Sequence, residues 1–301
     1  MRALERELAV PVGRGLLGAT QADGGPTSEQ INIIRALLHG YFGIENEPTV
    51  LEPFEPGELA AAVTDPKARH RVVELLIVLE FARHPPSPPL AERVETYAGA
   101  LGVDEPMQVV ARDALNSART QLNADYQRFH EPYDREPQLV GTEDAVLAKR
   151  LRALEHCPPD SLGRAYFDFY QRYSLSFPGE PGGGDLVLVA HDFSHVLSGY
   201  EPNGPGELAL QAILVSATDG DHHFSNFCAS LSLHEAGMFD SKTIAPKVGT
   251  LARPGAAEEL ADAIRRGAEC RADFSAIDHL ARAHEPLEAV RRDLGIPPRR
   301  H

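Results

Sequence analysis

His191-Asp192-Phe193-Ser194-His195 is the densest polar cluster in the chain. On a helix, residues four apart stand one turn apart on a single face. His191 and His195 could therefore offer two imidazole nitrogens to one divalent cation. Asp192 is rotated roughly 100° round the helix from His191, within side-chain reach of a site along that edge. Glu207 follows behind Asn203-Gly204-Pro205-Gly206. That turn reverses the chain, and a helix opening at Gly206 would return Glu207 toward the histidines. Two neutral imidazoles with one or two carboxylates form a borderline nitrogen and oxygen ligand set. Zinc fits it first, with iron(II) and manganese(II) as alternatives. The spacing by itself leaves a plainer interpretation open. Among 13 histidines an i/i+4 pair arises by chance, and such pairs commonly lie at surfaces or helix caps.

Helices must position these groups. The apolar run Leu186 to Val189 leads directly into the cluster, and the periodicity predicts helices over 185–200, 206–218, 221–237, 256–268 and 274–283. A short closing helix is expected over 286–294, opened by Pro286 and ended by Gly295. Earlier, Thr27 or Ser28 can cap a helix running to about Gly40. Asp65-Pro66 marks a helix start to about Arg83, apolar on nearly every side and therefore central. Leu90, Val94, Tyr97 and Leu101 mark the next helix, closed by Gly102. Another is expected from Glu105 to Phe129. Residues 1–27, rich in glycine, read as an irregular lead-in, and 45–58, with three prolines, as a loop. Alternating strand patterns are nearly absent. The expectation is an all-α chain in two helical bundles, over 28–130 and 142–301, with a boundary at 130–141.

Composition narrows the function classes. The 301 residues are 43% hydrophobic and 24% charged, as in ordinary globular domains. Forty-four acids against 29 bases give a formal charge of −15. Such a chain repels phosphate backbones, so no nucleic-acid partner is expected. Cys157, Cys228 and Cys270 are too far apart for a thiolate zinc site, and an odd count does not suggest a disulfide scaffold. With no signal-like start and no long apolar run, the chain reads as cytoplasmic.

At this point the residues resemble a family. H-D-x-x-H followed by eleven residues and E is the signature of the coenzyme Q (ubiquinone) biosynthesis protein 4 family. The neighbouring Val196-Leu197-Ser198-Gly199-Tyr200 and Gly206-Glu207-Leu208-Ala209-Leu210-Gln211-Ala212 are similar to it as well. So are Ser161-Leu162-Gly163-Arg164-Ala165-Tyr166 upstream and Pro286 to Ile296 downstream. The resemblance covers about 142–299. It implies an all-α domain with a divalent metal, usually zinc, on His191, Asp192, His195 and Glu207. It also implies a prenylated aromatic or isoprenoid small-molecule partner, with oxidative removal of the carboxyl at ring carbon 1 in favour of a hydroxyl. Peripheral membrane contact and a homodimer or biosynthetic complex belong to the same expectation. The competing function is a non-catalytic isoprenoid-binding or scaffold protein with a structural ion. Over about 28–129, Arg71 to Ala82 followed by Val94 to Gly102 resembles the tellurite-resistance TerB-like helical domain, for which no site is named.

The remaining polar groups suggest less. Asp219-Gly220-Asp221-His222-His223 reads as a helix-capping aspartate with exposed histidines. His279 and His284, beside charged residues, read as surface. His234-Glu235 lacks the second histidine of a metalloprotease helix. Pro178 to Gly184, with three consecutive glycines, reads as a flexible connector.

Overall fold

A computed structural model describes residues 4–103, 144–181, 183, 188–218, 221–237 and 247–299. Among the described residues there are helices and two isolated bridges, Ser161 with Pro286 and Ala236 with Val248, but no strand. The all-α expectation holds. The expected helix over 105–129 and the boundary at 130–141 lie outside the described residues.

The described residues divide into two compact units. The first comprises those within 1–132 and 203–268, the second those within 133–202 and 269–301. Residues 203–268, grouped by the sequence reading with the second bundle, thus belong with the first unit.

In the first unit, α1 (Ala9–Ala19) occupies the stretch expected to be irregular. That expectation is corrected: the glycines here serve close packing. A Cβ on Gly15 would come within 2.6 Å of the Leu59 side chain, and one on Gly18 would collide with the Phe54 carbonyl. α2 (Ser28–Ala36) opens with a capping box, Gln30 N donating to the Thr27 hydroxyl and Thr27 N to Gln30 Oε1. It passes into a wider turn over Leu37–Tyr41. α3 (Pro56–Ala62) begins inside the expected loop, because Glu55 and Glu58 form a capping box around Pro56. α4 (Pro66–Phe81) starts where expected, with Ala68 N donating to Asp65 at 2.8 Å. Val72, Val73, Leu75, Leu76, Ile77, Val78 and Leu79 are all buried, so the helix is enclosed. Each such side chain contributes roughly 1.5–3 kcal/mol of burial. α5 (Pro88–Leu101) ends at Gly102, whose φ of 70° suits a residue without Cβ. α9 (Gly204–Ala217), α10 (Asp221–His234) and α11 (Ala256–Glu269) complete the unit, α9 packing on α10 and α10 on α4.

The second unit holds α6 (Ala145–Arg152), α7 (Leu162–Tyr173), α8 (Leu188–Ser198) and α12 (Leu287–Leu294). α6 is capped by Asp144, which accepts from Val146 N and Leu147 N. Ser161 caps α7 through Arg164 N. The segment 283–287 is tied to the start of α7: Gly163 N donates to Ala283 O, Leu162 N to Glu285 O, and Leu287 N to Asp160 O. The helix expected over 274–283 is corrected to a series of turns. Asp273 accepts from Ser275 N and Asp278 from Ala281 N, and these local bonds compete with a helical ladder. No described helix is long and apolar enough to cross a membrane.

Candidate metal centre

α8 carries His191, Asp192 and His195, and α7 supplies the wall against which they sit. The buried face of α7 is aromatic: Tyr166, Phe169 and Tyr170. Tyr166 stacks on Phe193 of α8 at 3.9 Å between centroids, and Phe169 stacks on the His195 ring at 5.9 Å. Phe193 also stacks on His279 at 5.0 Å. With Phe193 facing these rings, the histidines emerge along a neighbouring edge of α8.

The two imidazoles meet as their spacing predicts. His191 Nε2 and His195 Nε2 are 3.1 Å apart, with the ring planes near perpendicular at 85°. Two imidazole nitrogens bound to one zinc ion at about 2.0–2.1 Å lie roughly 2.8–3.4 Å apart, for coordination angles between octahedral and tetrahedral. The pair thus already has the spacing of two ligands on one cation. His195 Nδ1 lies 2.9 Å from the Tyr200 carbonyl oxygen. A carbonyl only accepts, so Nδ1 holds the proton and the Nε2 lone pair is directed at His191. His195 is 1% exposed, whereas His191 is half-buried.

Asp192 is buried and accepts the Tyr170 hydroxyl through Oδ2. Burial, reinforced by the Asp192 charge, raises the Tyr170 pKa far above its ordinary value and keeps it a donor. Tyr166 is raised chiefly by burial as well. Glu207 stands in the first turn of α9 and is half-buried. The helix start is fixed by Asn203, whose side chain accepts from Gly206 N at 3.1 Å and whose carbonyl accepts from Glu207 N at 2.7 Å. The helix expected to open at Gly206 is therefore present, starting at Gly204. Among the described residues, His191 and His195 belong to a group of side chains able to hold a metal ion.

A cleft of about 190 Å³ opens beside His195 within the second unit. Phe169, Tyr173, Val196 and Leu287 give it apolar walls, and Arg172 and Glu201 give it charge.

Several buried polar groups escaped the sequence reading. Tyr170 belongs to no motif, and only its i/i+4 spacing from Tyr166 hints that the two share a helix face. His279 is buried, not surface: Nε2 donates to Phe274 O at 2.8 Å, and burial lowers its pKa. His223, expected to be exposed, is 2% exposed, its ring 3.8 Å from that of His222. Asp219 and Gly220 lie outside the described residues. Glu235, set aside as half of an incomplete motif, is 1% exposed and accepts from Leu251 N at 2.7 Å. Burial pushes its carboxyl pKa up to about 7.

No protein-family model matches the chain, and no curated protein sequence does. Among solved structures it is similar to a protein from Nostoc punctiforme provisionally assigned to ubiquinone biosynthesis. That match has 16% identity and a TM-score of 0.36, over 77% of this chain and 99% of the other. A likeness of that degree carries no functional weight, and the side chains must.

Proposed function

We propose that the chain is a metal-dependent enzyme of the ubiquinone-biosynthesis type, with one divalent ion, zinc in the first instance, held by His191, Asp192, His195 and Glu207. The observation that supports it is the histidine pair: two Nε2 atoms at ligand spacing, one of them freed for ligation by a backbone-held Nδ1 proton. Asp192 would ligate through the oxygen not taken by Tyr170, the tyrosine acting as its outer hydrogen-bond partner. Glu207, in the first turn of the helix capped by Asn203, would complete the set.

The substrate class is a prenylated or otherwise apolar aromatic acid, and the reaction is loss of the ring carboxyl as carbon dioxide with a hydroxyl in its place. This change is a two-electron oxidation of the substrate as a whole; with dioxygen as the proposed acceptor and water as the source of the hydroxyl, the acid, water and dioxygen give the phenol, carbon dioxide and hydrogen peroxide. A Lewis-acidic ion, when bound, would polarise the carboxylate or an adjacent ring oxygen. The chain's own residues would orient the ring. Phe169, Tyr173, Val196 and Leu287 beside His195 offer an apolar surface for an aromatic ring.

Elemental analysis of purified protein, repeated on His191→Ala and Glu207→Ala, tests the metal. The wild type should carry about one ion per chain and each variant far less, with helix content by circular dichroism retained. A metal-free wild type after zinc loading would overturn the proposal. Retained ion with lipid binding but no turnover of any aromatic acid would favour the non-catalytic alternative.

A further inference from the structure

The carbonyl that fixes the His195 tautomer does not belong to α8. It belongs to Tyr200, beyond Gly199, whose φ of 77° turns the chain out of the helix. Something must hold that turn. Two arginines do so from the C-terminal segment. Arg291 grips the helix end, donating from Nε to Leu197 O at 2.9 Å and from Nη2 to Val196 O at 2.8 Å. Arg299 grips the turn itself, donating from Nη1 to Gly199 O at 2.9 Å, with its guanidinium 4.7 Å from the centroid of the Tyr200 ring.

From this arrangement we infer that Arg299 is a positioning residue for His195, acting through the peptide unit between Gly199 and Tyr200. Both ends of that unit are held: the oxygen by Arg299, and the nitrogen by donation to the Ser198 hydroxyl at 3.4 Å. The Tyr200 ring is buried under the guanidinium. With the preceding peptide and the ring both fixed, the Tyr200 carbonyl stays aimed at His195 Nδ1 at 2.9 Å. Release of the peptide frees the carbonyl, and the imidazole can then exchange its proton to Nε2, the atom needed as a ligand. Arg291, which holds helix carbonyls and not this peptide, governs the helix end instead. The functional meaning rests on the metal proposed above, but the tautomer can be read without any metal.

The sign of the effect separates positioning from charge. Removing a cation near a metal site strengthens binding of another cation by simple Coulomb relief. Loss of an outer hydrogen-bond partner instead weakens metal affinity, by about 10–100-fold. In the metal-free protein at pH 8, long-range proton–nitrogen spectra of the histidine rings should show His195 wholly as the Nδ1–H tautomer. Arg299→Ala should give a mixture containing Nε2–H, and zinc titration against a chromophoric chelator should show affinity weakened 10–100-fold. Arg299→Lys, which can still reach Gly199 O, should restore most of both. Arg282→Ala, which loses ion pairs to Glu285 and Asp293 in the same unit, should change neither. Arg299→Leu keeps an aliphatic stem over Tyr200 and carries the same test if Arg299→Ala does not fold. A pure Nδ1–H tautomer in a folded Arg299→Ala or Arg299→Leu protein overturns the inference. If the wild type binds no zinc, the metal reading falls, while the tautomer still decides the role of Arg299.

Discussion

Replacing Glu235 with glutamine should flatten the pH dependence of stability, and the size of the effect can be worked from its surroundings. The side chain follows the last residue of α10 and is 1% exposed. It receives the Leu251 N–H at 2.7 Å, with the Gly249 and Thr250 amides also favouring the charged form. Burial outweighs these donors, and Glu29 adds a like charge, so the pKa rises from its ordinary 4.5 to about 7. The sign follows from linkage. Below pH 4.5 the carboxyl is protonated in both folded and unfolded chains, and its contribution is fully present. Between 4.5 and 7 the unfolded chain loses its proton first, so the folded state is progressively disfavoured. Above 7 the loss is complete, at about 3 kcal/mol for a shift of this order. Glutamine cannot ionise and retains an acceptor for Leu251 N. In urea denaturation at pH 5 and pH 8, Glu235→Gln should therefore gain about 2–3 kcal/mol relative to wild type on going to the higher pH. Glu29→Gln should recover part of that gain. A wild-type-minus-variant difference that is equal at the two pH values would refute the argument, because it would mean the buried carboxyl titrates as an exposed one does.

Other perturbations test the packing and the metal centre. Gly18→Ala should lower the melting temperature markedly, because its Cβ would meet the rigid Phe54 carbonyl; overpacking of this kind costs about 1–3 kcal/mol. Gly15→Ala first meets the Leu59 side chain, which can move, and should cost less in the same thermal melts. Tyr170→Phe leaves the buried Asp192 without its hydroxyl donor. It should destabilise the second unit by about 1–3 kcal/mol in chemical denaturation, while Tyr173→Phe should leave the Asp192 bond intact.

The fold was legible where local chemistry and the period of apolar residues agreed. Asp65-Pro66, Thr27 and Gly102 each mark a terminus that the structure places at the same point. It was illegible where one residue type serves two purposes. Gly13, Gly15 and Gly18 read as breakers because a glycine favours turns by its own entropy, yet in α1 they permit contact with Leu38, Leu59 and the Phe54 carbonyl. Only the neighbours decide between these uses, and they come from residues far along the chain. The same holds for 274–283, where apolar spacing suits a helix but Asp273 and Asp278 spend their side chains on nearby amides.

The candidate site follows the same division. His191 and His195 could be paired from sequence because a helix fixes the relation between positions four apart, and the structure brings their Nε2 atoms to 3.1 Å. What makes one of those nitrogens a ligand lies outside that relation. The tautomer depends on a backbone oxygen, which no residue type announces. That oxygen depends in turn on Arg299, one hundred residues from the Gly199 carbonyl it holds. A motif therefore names the atoms that could bind a cation, while distant, chemically ordinary residues decide whether those atoms carry a lone pair or a proton. A variant that keeps the whole motif yet loses Arg299 should bind zinc more weakly than one that loses a comparable charge elsewhere in the unit. Neither the motif nor the net charge predicts that difference.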